Sequence, residues 1–459
     1  MRSLLSTGLV AVVAMLGSMA AAPLAHAVPS ASAVPASAAG LPGAANPASL
    51  ALPGATGLAG LMRLRGLSDG ASPDGLATSA AADAPFDQFL DVSCFHPGDC
   101  LAVGDDATAN GGDSSPIADL LNGHHWAALR VPLPHGAGGG YLASISCVKG
   151  GCMAAGGYWR GSTSYPLTAY WIGNRWKGSP LPARPSGARY AGFNWISCYS
   201  VNDCAAVGSD NPASDTSNQY SLAETWNGHS WTARTAPTPA TSHTWSFLDA
   251  AACPTAKYCL FGGGYVNSSG GGGVLADSWD GEHWGHPPVV SPGPTTGGYD
   301  NFVSGFSCLT LSACTGVGLA IKNTGTKSQS ATGFAESGKG VVTRTRWKLE
   351  AEHNWPSGQS QLVATSCVSA KFCVASGGSG PYTASNTGGK GAIAIWNGSA
   401  WSVTVFTPPK GQGALLTSVR CESATYCVAV GTEGAYDKLT AHGLTAFYNG
   451  STWRQISTS

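Results

Sequence analysis

The chain has 459 residues, of which 11% are charged and 63 are glycine, and its 24 Lys and Arg face 25 Asp and Glu for a formal charge of −1. That balance excludes the basic excess by which a nucleic-acid binder neutralises phosphates. A content of 43% hydrophobic residues with 15 Trp excludes wholesale disorder.

Met1 and Arg2 lead into an apolar stretch from Leu9 to Ala22, and Ala25-His26-Ala27 places small residues at the two cleavage-determining positions. Residues 1–27 therefore read as a secretory signal peptide. A membrane anchor needs about 20 continuous apolar residues, and Gly17, Ser18 and Pro23 interrupt this run. Later apolar runs are interrupted too, so the expected product is secreted and extracellular, with no membrane span after cleavage, in a medium where cysteines pair. Residues 28–85 are rich in Ala, Pro, Ser, Gly and Leu, with no Cys and no aromatic. Such a stretch buries too little apolar surface to offset its ordering entropy and reads as a flexible spacer, with a pro-segment as the alternative.

From residue 86 to 459 one unit recurs seven times. The 14 cysteines form seven close pairs: Cys94/Cys100, Cys147/Cys152, Cys198/Cys204, Cys253/Cys259, Cys308/Cys314, Cys367/Cys373 and Cys421/Cys427. The first cysteines are 53, 51, 55, 55, 59 and 54 residues apart. Five residues before each first Cys stands an apolar side chain (Phe89, Leu142, Phe193, Leu248, Val303, Leu362, Leu416). Four residues after each second Cys stands a glycine (Gly104, Gly156, Gly208, Gly263, Gly318, Gly377, Gly431). A turn box with Trp three residues after Gly follows, as in Trp226-Asn227-Gly228-His229-Ser230-Trp231; the fifth repeat departs from it, with Ser337-Gly338 and a displaced Trp347.

Each unit reads as four short strands, a to d. The Cys pair bridges the a–b turn, and an Asn-Gly hairpin of type I′ joins c to d. Zinc sites use closer Cys spacing and four ligands per ion, and no His keeps phase with the pairs, so a disulfide in each unit is expected and no metal. Four antiparallel strands per unit and seven units of about 53 residues predict an all-β, seven-bladed β-propeller with one intra-blade disulfide per blade. A β-solenoid has shorter coils and tandem sandwiches more strands per unit. The box tryptophans are assigned to blade-to-blade packing.

The repeat resembles those of secreted bacterial β-propellers, similar in length and turn chemistry to kelch and sialidase-type (BNR, Asp-box) repeats. Trp279-Asp280-Gly281-Glu282-His283-Trp284 approaches an Asp-box, although the family pattern has a residue between Asp and Gly. Sialidase-like chemistry would imply an arginine cluster, a Tyr nucleophile and an acid. The ten Arg of residues 86–459 stand in no such sequence context, and those residues contain no HExxH and no Gly-x-Ser-x-Gly.

Off-phase aromatic and polar residues concentrate in the b–c and d–a connections, which share one face of an up-and-down propeller. The candidate ligand-binding residues are Tyr158, Trp159, Arg160, Tyr190, Trp245, Tyr299, Asp300, Trp355, Tyr382 and Tyr436. Flat rings beside hydrogen-bonding groups suit sugars. The expected function is a monomeric extracellular binding module for a glycan or cell-surface polymer, using no cofactor. The alternatives are a sialidase-like glycoside hydrolase or lyase, and a scaffold that docks an extracellular protein.

Overall fold

The computed structural model describes residues 87–106, 114–123, 125–214, 218–236, 243–267, 271–287, 291–293, 295, 299–322, 330–338, 347–352, 360–380, 389–434 and 441–457. The leader and spacer expected over 1–27 and 28–85 lie outside them. The described elements are 28 strands in seven four-stranded antiparallel sheets, each built from four consecutive strands in the order a-b-c-d. In blade 1 these are Asp87–His96, Asp99–Asp106, Ser115–Asn122 and His125–Arg130. Strand a of each blade packs against strand a of the next, and that of blade 7 against that of blade 1, so the a strands form the innermost ring of a seven-bladed propeller.

All seven expected disulfides are present, and each closes the a–b hairpin of its own blade. They join Cys94 to Cys100, Cys147 to Cys152, Cys198 to Cys204, Cys253 to Cys259, Cys308 to Cys314, Cys367 to Cys373 and Cys421 to Cys427. The paired Cα atoms are only 3.9 to 4.1 Å apart, because the two cysteines face each other across the strand pair.

The phase-locked glycine has a steric cause. Every a strand carries, at the same position, an extra residue against strand b, a β-bulge at Leu90, Ala143, Asn194, Asp249, Ser304, Val363 or Thr417. The residue just before each bulge is the recurring apolar one, and it pairs with the recurring glycine, as in Leu248 with Gly263. The bulge tips the preceding carbonyl toward strand b. A Cβ on Gly263 would lie 1.9 Å from Phe247 O, and at the other six positions the same carbonyl would lie 1.9 to 2.2 Å away. No side chain fits there.

Bulge residues then reach sideways to the next blade. Asn194 Nδ2 donates to Asp249 Oδ1 at 2.7 Å, Ser304 Oγ to Leu362 O at 2.6 Å, and Thr417 Oγ1 to Phe89 O at 2.7 Å. Asp91, one residue past its bulge, accepts from Ser418 Oγ of blade 7 at 2.5 Å and from Ser144 Oγ of blade 2 at 2.6 Å. A second stitch runs lower in the ring, where Ser93, Ser146, Ser197, Ser307 and Ser366 each accept from the backbone N–H of the next blade's first Cys at 2.9 to 3.0 Å. Blade 7 meets blade 1 through Thr417, Ser418 and a bond from Asp87 N to Ala441 O at 3.1 Å, so the ring closes without an exchanged strand among the described residues.

The box aromatics pack toward the preceding blade: Trp226 and Trp231 against Met153 and Ala155, Tyr448 and Trp453 against Val374 and Ile393. The turn between them differs from the type I′ expectation. In blade 2 both central residues, Gly173 and Asn174, have φ near 60°. In blades 3, 4, 6 and 7 the residue before Gly keeps a negative φ and its side chain caps the turn instead. Asn227 Oδ1 accepts from the N–H of His229 and of Ser230, both at 2.9 Å, and Asp280, Asn397 and Asn449 repeat the pattern. In blade 5, Trp347 directly precedes Lys348, which pairs with Ser337, so it occupies the second-Trp register after a longer c–d connection. Its indole lies over Gly338, where a Cβ would be 2.2 Å from Trp347 Cε2.

These contacts predict that Gly263→Ala lowers stability by more than about 2 kcal/mol, because backbone must move to admit the methyl group. Gly178→Ala, where no atom lies within 4 Å of the added carbon, should stay within about 0.5 kcal/mol of wild type. Denaturant unfolding of the two variants checks the contrast.

Candidate functional site

The a–b and c–d turns meet at one end of the ring: Gly123 N donates to Gly98 O at 3.0 Å, and Trp226 Nε1 to Val201 O at 3.2 Å. The disulfides sit at this end. Cys100, Cys152, Cys204, Cys259 and Cys427 are buried between strands and blades, so their part is structural and none of them belongs to a ligand site. Cys314, Cys367 and Cys373 differ in bordering an opening between blades 5 and 6. The b–c and d–a connections lie at the other end, and the candidate residues described stand at the strand ends beside them rather than in the connections: Tyr158, Trp159 and Arg160 end strand b of blade 2, while Tyr190, Trp245, Tyr299 and Asp300 open strands a. Blade 2 has a tight b–c hairpin there, in which Arg160 pairs with Thr163 and Tyr158 with Tyr165. Cross-strand pairing stacks the rings of Tyr158 and Tyr165 with centroids 5.2 Å apart.

Two guanidinium groups converge on this stack. Arg160 lies 5.4 Å from the Tyr158 ring centre and 5.9 Å from that of Tyr165, while its Nη2 donates to His135 O at 2.8 Å. Arg184 lies 5.0 Å from the Tyr165 ring centre and donates to Ala188 O. Ser164 Oγ accepts from Ala191 N at 2.9 Å and donates to Ala191 O at 3.2 Å, which binds strand c of blade 2 to strand a of blade 3. That link sets Tyr190 on the same rim, with Arg189 at 5.3 Å from its ring centre. Trp159, half-buried, lies over Gly139, where a Cβ would be 2.4 Å from Trp159 Cζ2. None of the four ion pairs among the described residues engages Arg160, Arg184 or Arg189.

The structure thus brings Tyr158, Trp159, Arg160 and Tyr190 onto one rim and adds Tyr165, Arg184 and Arg189. Tyr158 itself is only 3% exposed and backs the cluster rather than facing outward. Trp245 stands apart at the start of strand a of blade 4, bridged to Gln219 of blade 3 and set edge-on to Phe247 at 5.9 Å. Tyr299 and Asp300 begin strand a of blade 5; the Asp300 carboxyl is buried against Gly272 of blade 4. Trp355, Tyr382 and Tyr436 lie outside the described residues.

Several buried carboxyls were not singled out by the sequence reading. Asp91 is enclosed and takes four hydrogen bonds, from Ser144, Ser418 and the N–H groups of Val92 and Ile145; burial nevertheless pushes its pKa up. Burial raises Asp249 to about 7 against a lowering from Asn194, and Glu224 to about 7. Burial also raises Asp277 to about 6, although His286 Nδ1 at 2.8 Å lowers it. Asp119, Glu224, Asp277 and Glu336 share one phase, two residues before the strand-c residue that pairs with the second Cys. Their signal was an acid after Ala in four of the seven c strands. Asp91 and Asp249 join neighbouring blades, Asp277 pairs with His286 of its own blade, and Glu336 borders the opening between blades 5 and 6.

No family model matches the chain, and no curated protein matches it. Among solved structures, YCF48 bound to D1 peptide is similar at 11% identity and TM-score 0.42, covering 76% of this chain and 94% of that one. A six-bladed fungal lectin, from Aleuria aurantia, is similar at 10% and 0.39, covering 69% and 94%. NanB sialidase from Streptococcus pneumoniae is similar at 10% and 0.42, covering 85% and 73%. At these values the likenesses carry no argument about ligand or activity.

The raised carboxyl pKa values set a pH dependence. Asp249 titrates at 3.8 when exposed and at about 7 in the fold, so between those values the folded state binds more protons than the unfolded chain. The stability linked to it is full below about pH 4 and falls as pH rises to 7. The melting temperature should therefore be higher at pH 5 than at pH 8, and Asp249→Asn should raise the pH 8 value by about 2 °C or more while shrinking the difference. Calorimetric scans at the two pH values measure both effects.

Proposed function

We propose that this protein is an exported binding module whose blade 2–3 rim engages a glycan or other cell-surface polymer. The observation that carries this reading is the cluster of Trp159, Tyr165 and Tyr190 with Arg160, Arg184 and Arg189. Aromatic faces suit the C–H faces of sugar rings, and guanidinium forks donate in pairs to hydroxyls, carboxylates or sulfates. Both exposed guanidinium groups, Arg160 and Arg184, are tied to backbone carbonyls, so they are positioned before a ligand arrives. Because no ion pair among the described residues neutralises the three arginines, an acidic polysaccharide fits the rim better than a neutral one.

Export is supported by the leader-like residues 1–27 and by seven disulfides, which persist in oxidising compartments. The module acts as a monomer without a cofactor in this reading. The reading favours binding over catalysis because the described polar groups on the rim are donors and stacking rings, with no exposed acid pair among them.

The test is a glycan array with a polysaccharide pull-down on wild type and on an Arg160→Ala, Arg184→Ala double variant. Acidic polysaccharides should be retained by wild type and bound at least about tenfold more weakly by the variant, with a salt-sensitive profile. A blank array, or an unchanged profile in the variant, contradicts the proposal. Capture of one specific protein in its place would turn the rim into a protein-docking surface.

A further inference from the structure

A cavity of about 460 Å³ lies between blades 5 and 6 at the disulfide end of the ring, opposite the arginine rim. Its origin is a local change in side-chain size. In blade 6, Phe372, Val374 and Ile395 fill the space against blade 7, and in blade 7, Tyr426, Val428 and Phe447 fill it against blade 1. The same three positions in blade 5, flanking the second Cys and ending strand c, hold Ala313, Thr315 and Ser337. Blade 6 still presents its pair of indoles, Trp396 and Trp401, to the space that blade 5 leaves open.

We infer that this cavity is a second binding site, for a single neutral pyranose unit. The volume falls within the range of small-ligand pockets. One wall carries the two indoles, their centroids 5.7 Å apart, and an indole face stacks on the C–H face of a sugar. The other wall is polar: Glu350 accepts from Ser337 Oγ at 2.5 Å and from Lys348 Nζ at 3.1 Å, with Thr315 beside them. Lys348 matches the Glu350 carboxylate, and Glu336 adds a second carboxyl to the lining, so acceptors outnumber cations while donors stand beside them. That combination takes hydroxyl groups and turns away an anion. Leu309 near the end of strand a and Ser312 in the a–b turn of blade 5, both exposed, border the opening. This site stands independently of the proposed rim.

Saturation-transfer NMR with glucose, galactose and mannose as probes tests the inference on three forms of the full chain. Wild type and the Arg160→Ala, Arg184→Ala rim variant should both give transfer from at least one hexose. Ala313→Phe restores the bulk that blades 6 and 7 carry at this position; it should keep or raise the melting temperature and weaken hexose binding at least about tenfold. Absence of transfer from all three hexoses to wild type overturns the inference, as does undiminished binding by Ala313→Phe. Should that variant fail to fold, Glu350→Gln takes its place, and an unchanged hexose affinity overturns the inference equally.

Discussion

A carbonyl oxygen and a missing Cβ set the architecture. In every blade the bulge in strand a turns one carbonyl into the space above strand b, and only glycine leaves that space empty. The bulge locks the register of the a–b hairpin at one point, and the disulfide at the turn locks it at another. With both fixed, the bulge residue and the serine before the first Cys arrive at the same height in each blade, where they reach the neighbouring blade. The polar ring of Asn194, Asp249, Ser304 and Thr417 depends on that registration, and so does closure of blade 7 on blade 1 through Asp91.

Among the described residues the ring closes through a few side chains and one backbone bond, with no exchanged strand, which concentrates the burden on a few groups. Asp91 serves three blades at once, yet its carboxyl is enclosed, and the hydrogen bonds that hold it only partly offset the cost of removing charge from water. Asp249, Glu224 and Asp277 carry the same cost. The ring therefore gains specificity of blade-to-blade register at some expense in stability near neutral pH. Each short disulfide loop offsets this by about 2 kcal/mol in the chain-entropy account.

What recurs in all seven repeats was legible in the sequence, because a strict period leaves no other explanation. The cysteine pairs, from Cys94 with Cys100 through to Cys421 with Cys427, fall in this class, as do the buried apolar residue and the bulge glycine, and the tryptophan box recurs in six. Features that recur in some blades only were passed over: the serine before the first Cys is replaced by Ala252 and Arg420 in two blades, and the buried strand-c acid occurs in four. The Asn-Gly boxes were recognised for the wrong reason, since the Asn side-chain oxygen, not a left-handed Asn backbone, makes most of these turns. The rim was only partly legible. Tyr158 and Arg160 share one face of strand b, yet Tyr158 is still covered while Arg160, two residues on, clears the edge, and Arg184 joins them from a d–a connection whose path no periodicity dictates. Likewise the blade 5–6 cavity follows from Ala313, Thr315 and Ser337, residues unremarkable until set beside their counterparts in blades 6 and 7.

A stitched ring is a stiff support, and both candidate sites use that stiffness: one gathers loops of adjacent blades, the other is a gap between blades that cannot collapse. Native-state hydrogen exchange resolved by blade tests the closed ring most directly. The strand-a amides of blades 1 and 7 should show protection within about tenfold of those in blades 2 to 6, because opening any junction requires global unfolding. Exchange in blades 1 and 7 that is faster by orders of magnitude would show that the ring opens first at the Asp91 junction and would contradict closure by this network.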